Sequence, residues 1–216
     1  MLDGLRQIFA SPFMRSMAVL LLLADGIGTV NYALVVDYSH GAFDDAVSRT
    51  RFFANVDLAS NLITVLLQIF VTRWLLPRKG PGFLIAVWAT ISMAALSLVI
   101  FSPDPHAPLL GIFPAVALAL IISRGLAYGM AEPARHSLFT RVPRNERYKG
   151  QNAVDTAVWR FGDMAIAFGM NGLRSLGVAT GSFAALSALA ALSAAAIGVH
   201  LSRRSASGTR PALQTQ

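Results

Sequence analysis

The chain has 216 residues, 55% of them hydrophobic and only 13% charged, about half the charged fraction of an ordinary soluble domain. Mean hydropathy is +0.56, and the absence of cysteine excludes a disulfide framework, a thiolate nucleophile and a cysteine-based metal site. The net charge of +7 does not point to nucleic acid in so apolar a chain, because membrane proteins concentrate Lys and Arg in cytoplasmic loops.

The apolar residues come in long blocks. Ser11-Pro12 reads as a helix cap with proline at the first helical position, and opens a first block over about 13–36. The segment before it carries Asp3 and is a weak signal n-region, and the block is too long for a signal h-region, so it is expected to stay in the membrane as an anchor. Further blocks follow over about 53–76, 83–101, 110–132, 151–172 and 178–201. Each is long enough to cross a hydrocarbon core of roughly 30 Å as a helix, and none alternates as a barrel strand would. The expected fold is therefore all-α, a bundle of six transmembrane helices over residues 1–204. Pro77 to Gly82 and Ser102 to Pro105 mark turns, and the polar residues 205–216 read as a disordered cytoplasmic tail.

Basic residues orient the bundle. One set of helix ends holds Arg6, Arg15, Arg73, Arg78, Lys79, Arg135, Arg141, Arg144, Arg147, Lys149, Arg203, Arg204 and Arg210, whereas the opposite set holds only Arg49, Arg51 and Arg174. This asymmetry predicts that both termini are cytoplasmic in a multi-pass protein of the bacterial inner membrane.

A charge at the bilayer centre costs about 2.5–3.5 kcal/mol on insertion scales, yet the spans hold Asp25, Asp57, Arg124, Asp155, Arg160 and Asp163, with Glu132 at a span end. Spans three and six hold none, so they are expected to face lipid while one, two, four and five face protein or water. Counted from the span ends, Asp25, Arg124, Arg160 and Asp163 share a layer about 12–18 Å above the cytoplasmic edge. Glu132 and Asp155 lie at the cytoplasmic mouth and Asp57 near the outer one. Polar residues also fall at helical spacing: Asp57, Asn61, Thr64 and Gln68; Arg124, Tyr128 and Glu132; Thr156, Arg160 and Asp163; Asp25, Thr29 and Tyr32. Four such stripes can line a water-accessible cavity. The alternative is that the charges pair and hold the bundle together, and for Asn61 and Gln68 taken singly interhelical hydrogen bonding is the simpler role. The Ala/Ser-rich sixth span permits close helix packing.

Pro133-Ala134-Arg135, Leu138-Phe139-Thr140, Arg147-Tyr148-Lys149, Val154-Asp155-Thr156 and Arg160-x-Gly162-Asp163 resemble a block of the nucleotide-exchange branch of the major facilitator superfamily, related to ATP/ADP antiporters of bacteria and plastids. Ser11-Pro12 and Phe53-Ala54-x-x-Asp57, followed by Thr64 and Gln68, point the same way. The likeness covers most of residues 5–172 and corresponds to the second six-helix half of such a transporter. Arg73 to Gly80 keeps the basic cluster of the superfamily's loop signature without its usual Gly and Asp. The resemblance implies a secondary transporter, or half of one, moving a small anion such as a nucleotide by alternating access. Substrate and cavity residues would be Asp25, Asp57, Asn61, Gln68, Arg124, Tyr128, Arg160 and Asp163, with Glu132, Arg135 and Asp155 as a cytoplasmic gate. The partners would be the bilayer, the substrate and a second six-helix half or a second copy, without nucleic acid. A second reading is a non-transporting module or split-gene subunit that acts only with a partner half. No cofactor is expected, and the scattered histidines (His40, His106, His136, His200) show no ligand spacing, with His136 expected in a solvated loop. Enzymatic activity is not expected: the two aspartates lack the Gly-x-Gly-Asp signature of intramembrane proteases, since Arg160-Phe161-Gly162 precedes Asp163.

Overall fold

Ser11 donates no side-chain cap, but Pro12 stands at the first helical position and starts α1, Pro12–Ala42. Proline is suited there because its φ is preset and its missing N–H would have no partner. The computed structural model describes residues 11–109, 111–140, 156, 162, 164–178 and 180–207.

After a short break, Asp45 caps α2, accepting a hydrogen bond from the Ser48 backbone N–H at 2.7 Å. Helix α2 runs unbroken over Ala46–Lys79, with a π-helical turn at Leu67–Thr72. It starts seven residues before the expected apolar block. Hydropathy does not register that extra stretch, because it is polar (Ser48, Arg49, Arg51). The reversal into α3, Pro81–Phe101, is made by Gly80 alone, at φ 79°, a conformation that only glycine adopts without strain. Pro77 lies inside α2 rather than ending it. A two-residue antiparallel hairpin pairs Pro108–Leu109 with Phe113–Pro114 and leads into α4, Ala115–Phe139, which carries a second π turn at Ala127–Ala131. Residues 164–175 form α5 as far as it is described. The last helix, α6, spans Thr180–Ser207, three residues past the expected start of the tail.

Among the described residues, five helices are long and apolar enough to cross a membrane: α1, α2, α3, α4 and residues Ser182–Leu201 of α6. The chain is an all-α, multi-pass membrane protein. Half of the expected fifth span, 151–172, lies outside the described residues.

Helix α4 is the hub. It packs on α1, α2 and α3, while α6 packs on α3 and α1. Of its most apolar window 61% is buried, against 11% for α2, so α2 is the peripheral helix. Spans three and six, expected to face lipid because they carry no charge, are α3 and α6, and they make the most extensive pairing among the described residues. On α6 the buried positions Ala184, Ser187, Ala191, Ala194, Gly198 and Leu201 alternate by three and four, as do Ile85, Trp88, Ser92, Ala95 and Val99 on α3. Alternation by three and four is the spacing at which helices pack side by side. A Cβ on Gly198 would fall 2.5 Å from Ile85 Cγ2 and 2.9 Å from its Cβ, so the two backbones approach as closely as glycine allows.

Candidate functional site

Among the described residues, three helices line a half-open cavity of about 410 Å³. Helix α1 contributes Leu20, Leu21, Asp25, Thr29 and Tyr32, and α3 contributes Ile85 and Trp88. Helix α4 contributes Leu120, Arg124, Tyr128, Glu132 and Arg135. The polar stripes read on spans one and four therefore do meet across a common space. Five of the anticipated residues line it: Asp25, Arg124, Tyr128, Glu132 and Arg135. Arg160, Asp163 and Asp155 lie outside the described residues.

Asp57, Asn61 and Gln68 belong to α2, which does not line the cavity. Asp57 instead reaches Arg124 from the side, with its Oδ1 accepting from Nη1 at 2.7 Å; the two side chains are 53% and 36% exposed. Its expected place near the outer mouth shifts accordingly. Because α2 begins at Ala46, Asp57 is about 16 Å along the helix and level with Arg124. Asn61 is exposed.

The rest of the α2 stripe serves a different end. Pro133 has no N–H to give, and Glu132 turns its own N–H back to Ala127 O across the π turn. The carbonyls of Tyr128 and Gly129 consequently lose their α-helical donors. Both are met from α2: Gln68 Nε2 donates to Tyr128 O at 3.1 Å, and Thr72 Oγ1 donates to Gly129 O at 2.5 Å. Thr64 Oγ1 adds a longer contact to Gly125 O at 3.3 Å. Two glycines permit this approach. A Cβ on Gly125 would meet Ile63 Cγ2 at 2.6 Å, and one on Gly129 would meet Leu67 Cβ at 2.9 Å. Gln68 is thus an interhelical donor rather than a cavity residue. Sequence reasoning missed Thr72, Gly125 and Gly129 in this role. The available signals were the Gly-x-x-x-Gly spacing and a proline four residues after the second glycine.

The far wall is held by a buried network. Asn31, 1% exposed, donates its amide N–H to Ser123 Oγ at 3.0 Å, and Ser123 Oγ donates to Ala119 O at 2.6 Å. Trp88 Nε1 donates to Ser123 O at 3.1 Å. Trp88 therefore presents only carbon to the cavity, since the indole has one donor and no acceptor. Trp88 and Ile85 were not anticipated, because an uncharged span gives no sign that one of its faces borders a cavity.

At the other end Glu132, Arg135 and His136 form a local group. Arg135 Nε donates to Glu132 Oε2 at 2.9 Å and its Nη2 contacts Oε1, while His136 Nε2 lies 3.1 Å from Oε1. Arg135 is nearly buried, at 5% exposure. His136 stands on α4, not in a loop, because the helix continues through Pro133 to Phe139. Toward the opposite end, Tyr38, Phe43, Phe52 and Phe113 pack as aromatic neighbours, with Tyr38–Phe52 centroids 5.4 Å apart and Phe52–Phe113 6.4 Å. Arg174 pairs there with Asp37, joining α5 to α1.

The arrangement is an amphipathic chamber: apolar at Leu20, Leu21, Trp88 and Leu120, and polar along the α4 stripe. No family model, curated protein or solved structure matches the chain.

Proposed function

We propose that the chain is a secondary transporter of the major facilitator superfamily, or half of one, moving a small anionic metabolite by alternating access across the bacterial inner membrane with both termini in the cytoplasm. The observation that carries this reading is the cavity itself, in which Asp25, Arg124, Tyr128, Glu132 and Arg135 from two different helices converge. Charged side chains inside membrane helices mark substrate and ion pathways by default. A guanidinium stays charged and binds carboxylate or phosphate through paired N–H donors. Arg124 is the residue best placed for that contact, with Arg160 as its expected partner from span five. Glu132 and Arg135 would close the cytoplasmic mouth. The sequence resemblance favours a nucleotide as the substrate.

Reconstitution in liposomes and measurement of labelled nucleotide exchange tests this. Arg124→Gln and Arg160→Gln should each abolish exchange. Undiminished exchange in the double variant would sink the anion-binding role.

One observation favours the second reading, a subunit that works only with a partner half. Helix α2 is almost uncovered and carries Asp57, Asn61 and Gln68 exposed, which is costly against lipid. A second six-helix bundle over this face would shelter them. Exchange that appears only after coexpression with a second six-span chain would decide for it.

A further inference from the structure

We infer that Asp57 is a resident counter-ion which an incoming ligand displaces from Arg124, and that the ligand carries a single anionic group, a carboxylate or a phosphate monoester, on an aromatic or aliphatic body. This rests on the small-anion carrier reading above and narrows it to ligands with one anionic group, which keeps a nucleoside monophosphate and leaves out di- and triphosphates.

Three features converge on Arg124. It borders the cavity, whereas Asp57, its partner, does not. The contact between them is one N–H to one oxygen, Nη1 to Oδ1. A guanidinium has five N–H donors in a rigid fork, so an edge remains to receive a second acceptor. Both side chains are also substantially exposed, at 36% and 53%. The pair is therefore not sealed inside the bundle, and an anion in the cavity can compete with Asp57 for the guanidinium. Asp57 then keeps Arg124 neutralised when the cavity is empty, which lowers the penalty for holding an arginine inside a membrane helix.

The body of the ligand follows from the walls. Leu20, Leu21 and Leu120 are buried apolar side chains, and Trp88 has its only N–H committed to Ser123 O. Asn31 and Ser123 bond to each other behind the wall. Tyr32 and Tyr128, each 49% exposed, border the cavity with hydroxyls able to meet a second oxygen of the anion. Arg135, the other guanidinium of the described lining, is engaged with Glu132. A volume of about 410 Å³ is at the small end for organic ligands and admits one ring system with a short arm. Among the described residues this favours one charged group over a polyphosphate.

The test uses the full chain in lipid nanodiscs, with binding read by calorimetry and Trp88→Phe as control for a fluorescence readout. The probes are phenyl phosphate, 3-phenylpropionate, the neutral 3-phenylpropanol and ATP. At least one of the two single-headed anions should bind, the alcohol at least about tenfold more weakly, as expected for loss of a charged hydrogen bond; whichever anion is tighter separates phosphate from carboxylate. Asp57→Asn, which keeps size and a hydrogen-bonding group, should tighten binding of that anion by roughly two- to tenfold. Arg124→Gln should remove binding. Should Arg124→Gln fail to fold, Asp57→Asn still decides. The inference is overturned if folded Asp57→Asn binds that anion no more tightly than the parent. Equal binding of the alcohol, or tighter binding of ATP, overturns the ligand class. Failure of the anion that binds to exchange in liposomes, with this binding pattern intact, would count against transport alone.

Discussion

Two helix pairs in this bundle are joined in opposite ways. The α3–α6 seam is dry and regular. Its buried positions alternate by three and four, Gly198 lies against Ile85, and two hydroxyls, Ser92 Oγ and Ser187 Oγ, are buried without a hydrogen-bond partner. The α2–α4 seam is polar and irregular. Each helix carries a π turn there, and Thr72, Gln68 and Thr64 donate to carbonyls that Gly125 and Gly129 let them reach. In lipid there is no hydrophobic drive between helices, so association depends on close packing and on hydrogen bonds. One pair uses the first almost alone. The other adds the second because Pro133 leaves carbonyls that must be met. Each seam reaches the cavity through one helix, α3 in the dry seam and α4 in the polar one, and only the polar seam is built from side-chain hydrogen bonds.

The largest effect should come from filling the glycine contacts. Gly129→Val would drive a side chain into Leu67 Cβ, 2.9 Å from where a Cβ would sit, and toward the Thr64 carbonyl; overpacking of this kind costs about 1–3 kcal/mol. Gly198→Val should cost as much in the other seam. Both should lower stability in denaturant titration in mixed micelles, and Gly198→Val should also disturb ligand binding, because the Ile85 it displaces lines the cavity.

Next comes the hydrogen bond peculiar to the polar seam. Thr72→Val leaves Gly129 O without its donor and should cost about 1 kcal/mol. Pro133→Ala restores a backbone N–H and should make Thr72→Val nearly neutral. A double-mutant cycle measures this directly. A coupling near zero would mean that the threonine and the proline are unrelated.

In the dry seam the sign reverses. Ser92→Ala and Ser187→Ala remove hydroxyls that no partner satisfies, and each should be neutral or stabilising by up to about 1 kcal/mol. A clear loss of stability for either would show that the seam is not as dry as its geometry.

The smallest effect lies at the start of α2. The Ser48 hydroxyl and backbone N–H hold the Asp45 carboxyl below the usual aspartate range. A lowered folded-state pKa stabilises above the unfolded value, and that contribution disappears as pH falls through the folded value. Hydrogen exchange over the first turn of α2 should accelerate in acid, and Asp45→Asn should flatten that dependence while keeping the cap.

The sequence made much of this legible. Uncompensated apolar blocks showed where α1, α2, α3, α4 and α6 cross, and helical spacing of Asp25, Arg124, Tyr128 and Glu132 anticipated that they share a space. Helix ends were less visible, since residues 46–52 and 133–139 are polar and hydropathy does not distinguish a protruding helix from a loop. The partner of Arg124 was hidden for the same reason: the depth of Asp57 depends on where α2 begins. Trp88 gave no sign at all, because the face of a uniformly apolar helix is chosen only by its neighbours. Gln68 and Thr72 were visible as polar residues, but their role depends on a proline in a different helix.

The π turn in α4 also sets an angle. In an α-helix a step of four residues overshoots a full turn by about 40°, so Arg124, Tyr128 and Glu132 would spiral progressively away from a common direction. A turn closed by an i→i+5 bond holds more residues and takes that drift back between Ala127 and Ala131. Pro133 therefore does more than break a hydrogen bond. It sets the rotational phase of the last two turns of α4, turning Glu132 toward the space that Arg124 borders. The direction of Glu132 is thus tied to a proline nine residues beyond Arg124.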